Sequence, residues 1–146
     1  MRILLDTNIL AHAHNKSSPY QDEAGKILVG ALKGELEAFV SPQVIYELYA
    51  VITDQRRVEY PLSPGEAAEL CVDLWESKDL GKLNLTPLMT RDALLLAGEL
   101  GLRGGEVFDC VLAVTAREND VYEIYTQNTR DFAKYPFLKV VNPLGD

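Results

Sequence analysis

Short apolar segments alternate with longer amphipathic segments from one end of the sequence to the other, and this alternation constrains the fold more than any other feature. Each short segment has the length and composition of a buried strand. We predict strands at residues 2–5, 38–40, 83–85, 122–126 and 139–141. Strands that alternate with helices are typical of an α/β fold with a mainly parallel central sheet.

Residues that favour helix ends divide the intervening segments into predicted helices. Ser63, Pro64 and Glu66 have the pattern of a capping box with proline at the first helical position. The other predicted helices start at Ser18 with Pro19, at Ser41 with Pro42, at Thr90 and at Val107, and they end at Gly34, at Gly101 and near Glu118. Residues 54–62 are predicted to form a loop.

Composition limits the classes of function that the chain can have. The chain has 146 residues, 47% of them apolar, which suits one domain with a substantial core. Its net charge of −8 argues against an extended basic surface for nucleic acids, because phosphate contacts need Lys and Arg. A metal-dependent nuclease remains compatible with this charge, since a bound cation reverses the sign of an acidic site. The cysteines, Cys71 and Cys110, lack metal-site spacing and are expected to be small buried side chains.

The sequence also indicates where the protein acts. No apolar run is long enough to cross a bilayer, and the N-terminus lacks the long apolar stretch of a signal peptide. We therefore expect a cytoplasmic protein that does not associate with membranes. No repeat or linker composition interrupts residues 1–146, which we expect to form a single domain.

Two acids follow predicted strands directly or closely. Asp6 comes after Ile3-Leu4-Leu5, and Asp131 lies shortly after the fourth predicted strand. Ligands of parallel α/β sheets bind at the carboxyl ends of the strands, where both residues are expected. The alternative for Asp6 is that it only caps the next helix. The alternative for Asp131 is ordinary turn chemistry, in which the side chain bonds its own backbone.

Two further acids interrupt apolar helical segments. Glu47 shares a helix face with Val44 and Val51, and Asp109 opens a helix whose following residues are almost all apolar. An unpaired carboxylate beside the core is costly, so each needs an explanation. Glu47 is either a site residue or a boundary glutamate that reaches solvent or pairs with an arginine. Asp109 is either a site residue or an acid that stabilises the helix N-terminus, with Glu106 as its companion.

These four acids are expected to meet at one end of the sheet. Converging carboxylates repel one another unless a cation lies between them. Ligand sets made only of oxygen suit Mg²⁺ or Mn²⁺ better than zinc. Such ions polarise phosphates and activate water, which is the chemistry of phosphodiester hydrolysis without a protein nucleophile.

Four segments, taken in order, resemble the sequence motifs of the PIN-domain family. They are residues 5–10 around Asp6, residues 41–48 with Glu47 followed by leucine, residues 108–116 with Asp109, and residues 126–132 with Asp131. Val141-Asn142-Pro143 resembles the closing strand of the family. Together the motifs extend over nearly the whole chain.

This resemblance implies a fold and a set of site residues. It implies a three-layer α/β/α sandwich and a single PIN domain over residues 1–146. It also implies that Mg²⁺ or Mn²⁺ is held by four acids, Asp6, Glu47, Asp109 and Asp131. Thr7 or Asn8 would support the first acid or the scissile phosphate, and Asn128 would tune the fourth position. Asn128 or Glu106 remains an alternative to Asp131 for completing the metal site.

The resemblance implies an activity and partners as well. PIN domains of this size are similar to VapC-type toxins, which are endoribonucleases that cleave single-stranded or looped RNA by metal-activated water. Those toxins are homodimers, and an antitoxin protein inhibits them by placing its tail in the acidic groove. We therefore expect an RNA substrate, a cognate antitoxin and a second copy of the chain as partners.

Two other functions compete with this hypothesis. One is a catalytically silent PIN-like domain that binds RNA or protein, against which the four acids argue. The other is a phosphatase of the haloacid-dehalogenase type, which needs a second aspartate two residues after the first. Here that position is Asn8.

The basic residues and histidines are weaker candidates. Arg56 and Arg57 are interpreted either as RNA or antitoxin contacts or as cations at a solvated helix end. His12 and His14 lie two residues apart and so point to different sides of a helix, which makes them structural or surface residues and not a chelating pair.

Overall fold

A computed structural model describes residues 1–145 and contains a five-stranded sheet. The strands are β1 (Ile3–Leu5), β2 (Ala38–Val40), β3 (Gly81–Lys82), β4 (Glu123–Tyr125) and β5 (Lys139–Val141). They lie in the order β3-β2-β1-β4-β5, and every neighbouring pair is parallel. The expected parallel α/β sheet is therefore confirmed.

Within residues 1–145, seven helices connect the strands and cover the sheet. They are α1 (Thr7–Ala13), α2 (Gln21–Leu32), α3 (Pro42–Ile52), α4 (Pro64–Glu76), α5 (Pro87–Leu100), α6 (Glu106–Glu118) and α7 (Thr129–Phe132). Helix α1 packs on α2 and α3, and α3 packs on α4. A second group is formed by α5, α6 and α7. These two groups on either side of the sheet give the predicted three-layer α/β/α sandwich. Among residues 1–145, no helix is both long and apolar enough to cross a membrane.

The strand order creates a crevice beside the central strand. The chain moves outward from β1 through β2 to β3, then returns to the other side of β1 to form β4 and β5. The connections leaving β1 and β4 at their carboxyl ends therefore diverge to opposite sides of the sheet. Such a switch point is where open parallel sheets bind ligands. The residues that follow β1 and β4 are thus placed at the site that the topology favours.

Both faces of the sheet are covered around its central strands. Leu4, Leu5, Val40 and Ile124 have no exposed surface. Burial on both faces explains why β1 and β2 are continuous apolar runs and do not alternate with polar residues. Phe132 and Tyr135 are the largest fully buried side chains, and they close the core near α7.

Several predicted helix ends are confirmed at atomic detail. The Ser63 hydroxyl accepts a hydrogen bond from the Glu66 backbone N–H, and the Glu66 carboxylate accepts one from the Ser63 backbone, which completes the capping box. Ser41 caps α3 by accepting from the Val44 backbone N–H. Gly101 ends α5 in the left-handed conformation at φ 67°, which glycine adopts without steric cost.

Three predicted element limits are wrong. The third strand is Gly81–Lys82, not residues 83–85, because Gly81 alone leaves room for the Phe39 ring of the neighbouring strand. Helix α5 starts after Thr86, whose hydroxyl accepts from the Met89 backbone, and not at Thr90.

Helix α2 begins at Gln21 and not at Ser18 with Pro19, because the Ser18 hydroxyl instead forms a turn by accepting from the Tyr20 backbone N–H. The short helix α7 was not predicted at all, since four residues are too few to show a periodicity.

Candidate active site

A cavity of about 610 Å³ lies where the carboxyl ends of the central strands meet α1, the middle and last turns of α3 and the first turn of α6. Its walls contain the carboxylates of Asp6, Glu47 and Asp109. Each acid comes from a different part of the chain, and the sheet topology brings the three parts together. The cavity also contains Asn8 and Asn128 among its lining residues.

Asp6 is the most buried of these acids, with 7% of its surface exposed. Its Oδ1 accepts from the Thr7 backbone N–H at 2.8 Å, so Asp6 does cap α1. Its Oδ2 accepts from the Thr126 hydroxyl at 2.7 Å. Burial raises the pKa of Asp6, the hydrogen bonds from Thr126 and Thr7 oppose that rise, and the charge of Glu47 adds to it. The capping and site interpretations of Asp6 are therefore compatible.

Asn8 connects the ends of β1 and β4. Its Nδ2 donates to Asp6 Oδ2 at 3.3 Å and to the Thr126 hydroxyl at 3.2 Å. Its Oδ1 accepts from the Gln127 backbone N–H at 3.1 Å. Through these hydrogen bonds, the Asn8 amide fixes the position of the Asp6 carboxylate relative to the loop after β4.

Glu47 lies on the exposed side of α3 and faces the cavity. Gln43, one turn earlier, donates from its Nε2 to Glu47 Oε1 at 2.9 Å. The same Nε2 donates to the Phe108 carbonyl oxygen at 3.0 Å, which ties α3 to the start of α6. Thr7 Oγ1 donates to the Val44 carbonyl at 3.1 Å, and Glu47 Oε2 lies 3.5 Å from the same hydroxyl.

Asp109 stands in the first turn of α6 and is partly buried. Desolvation by burial, followed by the negative charges of Asp6, Asp131 and Glu47, raises its pKa to about 6. The charge of Lys134 acts in the opposite direction. The pKa of Asp109 is therefore affected by the three other acids that the sequence predicts for the site.

The alternatives for the fourth position differ in where they lie. Asn128 lines the cavity, whereas Asp131 is exposed on α7 and acts on Asp109 through its charge. Glu106 accepts from the Arg103 backbone N–H at 2.9 Å and pairs with Lys134 at 3.4 Å. These contacts occupy Glu106 at the N-terminus of α6, outside the residues that line the cavity.

The two histidines contact different parts of the structure. His12 lines the cavity, with its Nδ1 2.7 Å from the Ser18 hydroxyl and its Nε2 2.5 Å from Gln127 Oε1. His14 Nδ1 lies 2.8 Å from the Leu10 carbonyl oxygen, within its own helix. As the sequence spacing predicts, the two rings do not face one another.

Sequence reasoning missed two polar residues that organise the site. Thr126 is fully buried at the end of β4 and bonds Asp6 directly. Gln43 bridges Glu47 and the backbone of α6. A buried threonine that ends a strand beside the switch point is a detectable signal. The partner of Gln43 across the cavity is 65 residues away in sequence and leaves no local signal.

The donor set fits a hard divalent cation in its chemistry. The three acids that line the cavity offer only carboxylate oxygens, and Asp6 and Glu47 each have acceptor capacity beyond the hydrogen bonds that hold them. As the side chains stand among residues 1–145, no group of three or more His, Cys, Asp or Glu residues is arranged closely enough to hold a metal ion. The carboxylates thus share a cavity without forming a closed cage.

A family match and a sequence relative both cover nearly the whole chain. The PIN domain family matches residues 3–138. Ribonuclease VapC24 of Mycobacterium tuberculosis (strain H37Rv) is 32% identical over 140 residues, which cover 96% of this chain and 95% of the relative.

Solved structures of low sequence identity share the fold. Mycobacterium tuberculosis VapC20, described as a Sarcin-Ricin loop cleaving toxin, has a TM-score of 0.70 at 15% identity and covers 91% of this chain and 95% of its own. VapBC-1 from nontypeable Haemophilus influenzae has a TM-score of 0.66 at 16% identity, with coverage of 99% and 100%. At these identities the similarity bears on the fold alone.

The raised pKa of Asp109 predicts how the metal-free protein responds to pH. An unfolded chain releases this proton near pH 3.8 and the folded protein near pH 6, so the folded state holds more protons between these values. The free energy of unfolding should therefore fall as pH rises through that window. Asp109→Asn should remove about 1–2 kcal/mol of this fall, after allowance for solvent screening of a partly exposed group.

The measurement is chemical unfolding in chelator at several pH values between 4 and 8. Asp73→Asn, an exposed acid of α4 away from the cavity, is the matched control and should follow the wild-type profile. Parallel profiles for wild type and Asp109→Asn would show that the carboxylate is not destabilised by its surroundings.

Proposed function

This chain belongs to the PIN-domain family, and on that premise we propose that it is a metal-dependent endoribonuclease and the toxin of a toxin–antitoxin pair. We propose further that residues 1–146 form a single PIN domain that acts in the cytoplasm. The observation that carries the proposal is the convergence of Asp6, Glu47 and Asp109 on one cavity at the switch point of the sheet. The identity of 32% to a ribonuclease over nearly the whole chain supports it.

Mg²⁺ or Mn²⁺ is the proposed cofactor. Asp6, Glu47 and Asp109 would hold it, with Asp131 as the fourth acid and Asn128 as the alternative at that position. Ligands made only of oxygen favour these ions over zinc. When bound, the cation would polarise the scissile phosphate and activate a water molecule for attack.

The protein's own residues supply positioning. The Thr7 backbone N–H donates to Oδ1 of Asp6, and Thr126 and Asn8 donate to its Oδ2, which fixes the carboxylate. Gln43 fixes Glu47 and at the same time the backbone beside Asp109. Fixed carboxylates need little reorganisation when the substrate arrives, which is the main contribution a protein makes to a site of this kind.

The protonation state of Asp109 limits the pH range of activity. With a pKa of about 6, this carboxylate is mostly ionised at neutral pH and available to a cation. Below that pH, protons compete with the cation for it. At limiting Mg²⁺ we expect cleavage to weaken as pH falls through about 6, and at saturating Mg²⁺ the same loss should occur at lower pH, because the cation competes with the proton.

The structure argues against the phosphatase alternative. That mechanism needs a second acid at position 8, two residues after Asp6. Asn8 occupies that position, and its amide forms hydrogen bonds with Asp6, Thr126 and the Gln127 backbone. An amide used in this way is a cross-link within the protein and cannot act as an acid.

Asp109→Asn should abolish RNA cleavage while the fold persists. The change keeps the shape of the side chain and removes a charge that the cation requires. Labelled RNA is incubated with wild type, Asp109→Asn and Asp73→Asn, with Mg²⁺, with Mn²⁺ or with chelator. Wild type and Asp73→Asn should cut the RNA only when a cation is present.

Thermal melts complete this test. Mg²⁺ should raise the melting temperature of wild type, because a ligand that binds only the folded state stabilises it, and should leave Asp109→Asn unchanged. If Asp109→Asn cuts RNA at the wild-type rate, the site assignment is wrong. If wild type neither cuts RNA nor responds to Mg²⁺, the silent-domain alternative is correct.

Arg57 is proposed to contact the RNA backbone. It lines the cavity and is the only Lys or Arg among the described residues that do so. Arg56, its neighbour, points elsewhere and pairs with Asp54 at 3.1 Å. The adjacent residues therefore form a matched pair for mutation.

Arg57→Ala should weaken RNA binding and reduce the slope of log affinity against log salt by about 0.7, the value for one phosphate contact on a single strand. Arg56→Ala should leave both unchanged. Binding by fluorescence anisotropy at several salt concentrations measures the effect. An equal loss in the two variants would assign it to general charge and not to a contact at the cavity.

Partners are proposed on family grounds and on one surface feature. We propose a homodimer from the likeness to the family, and a separate antitoxin chain from the likeness to the toxin-antitoxin complex from Klebsiella pneumoniae, which has a TM-score of 0.62 to this chain. Leu88 and Leu95, seven residues apart on one face of α5, are 61% and 52% exposed. Exposed apolar faces of this kind mark protein interfaces.

Light scattering at micromolar concentration should give twice the monomer mass for wild type. Leu95→Glu should lower the measured mass towards that of the monomer, because it places a charge in the interface. A monomeric wild type would contradict the homodimer.

A further inference from the structure

Phe108 is an exposed aromatic residue inside the acidic cavity. Its side chain is 59% exposed, although Cys110, Leu112 and Ala113 on the same helix are buried. Among the described residues that line the cavity, it is the only phenylalanine, tyrosine or tryptophan. The proposed metal chemistry gives this ring no role, so its position beside Asp109 needs another explanation.

The backbone of Phe108 is fixed relative to the acids. Its carbonyl oxygen accepts from Gln43 Nε2, the atom that also holds Glu47. Its N–H donates to the Gly105 carbonyl at 3.1 Å, within the first turn of α6. The ring therefore projects from a rigid helix. Glu47 is linked to the Phe108 backbone through Gln43, and Asp109 is the next residue along the helix.

The surroundings of the ring select what can cover it. Asp109, Glu47 and Asn128 line the same cavity, so an apolar protein surface laid over Phe108 would also bury unpaired carboxylates, which is costly. A nucleotide presents two different surfaces, an apolar base face and a charged backbone. Its base can cover the ring while its charged backbone lies at the carboxylates and the cation that they would hold.

We propose that Phe108 is a stacking platform for the base of a nucleotide next to the scissile phosphate. This inference rests on the proposed ribonuclease function and adds a substrate contact to it. Every base has a π-face, so stacking selects an unpaired nucleotide and not a particular sequence. A base inside a duplex is not available to the ring, and the contact therefore favours single-stranded or looped RNA.

The test uses an RNA fragment that wild type cuts, synthesised as a short single strand. The variants are Phe108→Leu, which keeps an apolar side chain without a ring, and Phe108→Trp, which keeps the ring. Tyr122→Ala is the matched control, since Tyr122 is an aromatic residue 49% exposed outside the cavity. A second substrate replaces the nucleotides flanking the cut, one at a time, with abasic ribose.

Phe108→Leu should raise KM for the intact fragment about 10- to 100-fold, as expected for the loss of one stacked base. Phe108→Trp and Tyr122→Ala should keep the wild-type KM. At one flanking position, abasic ribose should cost wild type the same factor and cost Phe108→Leu nothing more, because both changes remove the same contact.

Three results would overturn the inference. Phe108→Leu could retain the wild-type KM. The Leu and abasic effects could multiply at both flanking positions, which would show independent contributions. Phe108→Leu could change the mass in solution, which would place the ring in a protein interface. Wild type that cuts no RNA at all would instead overturn the proposed function and is recognised before any variant is made.

Discussion

The hydrogen bond between the Thr126 hydroxyl and the Asp6 carboxylate joins the two central strands at the point on which the site depends. The bond is 2.7 Å long, and both residues are buried. It crosses the switch point between β1 and β4. Because the Thr126 hydroxyl also accepts from Asn8 and from the Asn128 backbone, one side chain sets the positions of the first acid and of the loop that follows β4.

The same cavity destabilises the protein while it prepares the site. Burial and the nearby negative charges of Asp6, Asp131 and Glu47 raise the pKa of Asp109 to about 6, and burial together with the charge of Glu47 raises the pKa of Asp6. A chain selected only for stability would not keep carboxylates together in a partly buried cavity. Their cost is offset elsewhere by a sheet buried on both faces and by capped helices. Functional sites are the expected places for such a conflict between local stability and the rest of the fold.

The sequence was sufficient to predict those parts of the fold that local chemistry determines. Ser41 and Ser63 marked helix starts because their hydroxyls cap the adjacent backbone. The third strand was misplaced because its position depends on how Gly81 fits against Phe39, a residue far away in sequence. In the site, Asp6 and Asp131 were predicted from their positions after strands, and Glu47 and Asp109 because they interrupt apolar helical segments. Gln43 was not predicted, because a glutamine on a helix has no unusual sequence context and its partner on α6 is distant in sequence.

An acidic protein that cuts RNA must replace the attraction that a basic surface would provide. The chain carries a net charge of −8, and Arg57 is the single Lys or Arg among the described residues that line the cavity. A divalent cation would supply positive charge only at the point of chemistry, where the carboxylates hold it. Base stacking on Phe108 would add attraction that does not depend on charge. Recognition built in this way is local: a nucleotide is held at the cavity, and the rest of the acidic surface repels RNA that does not present an unpaired base there.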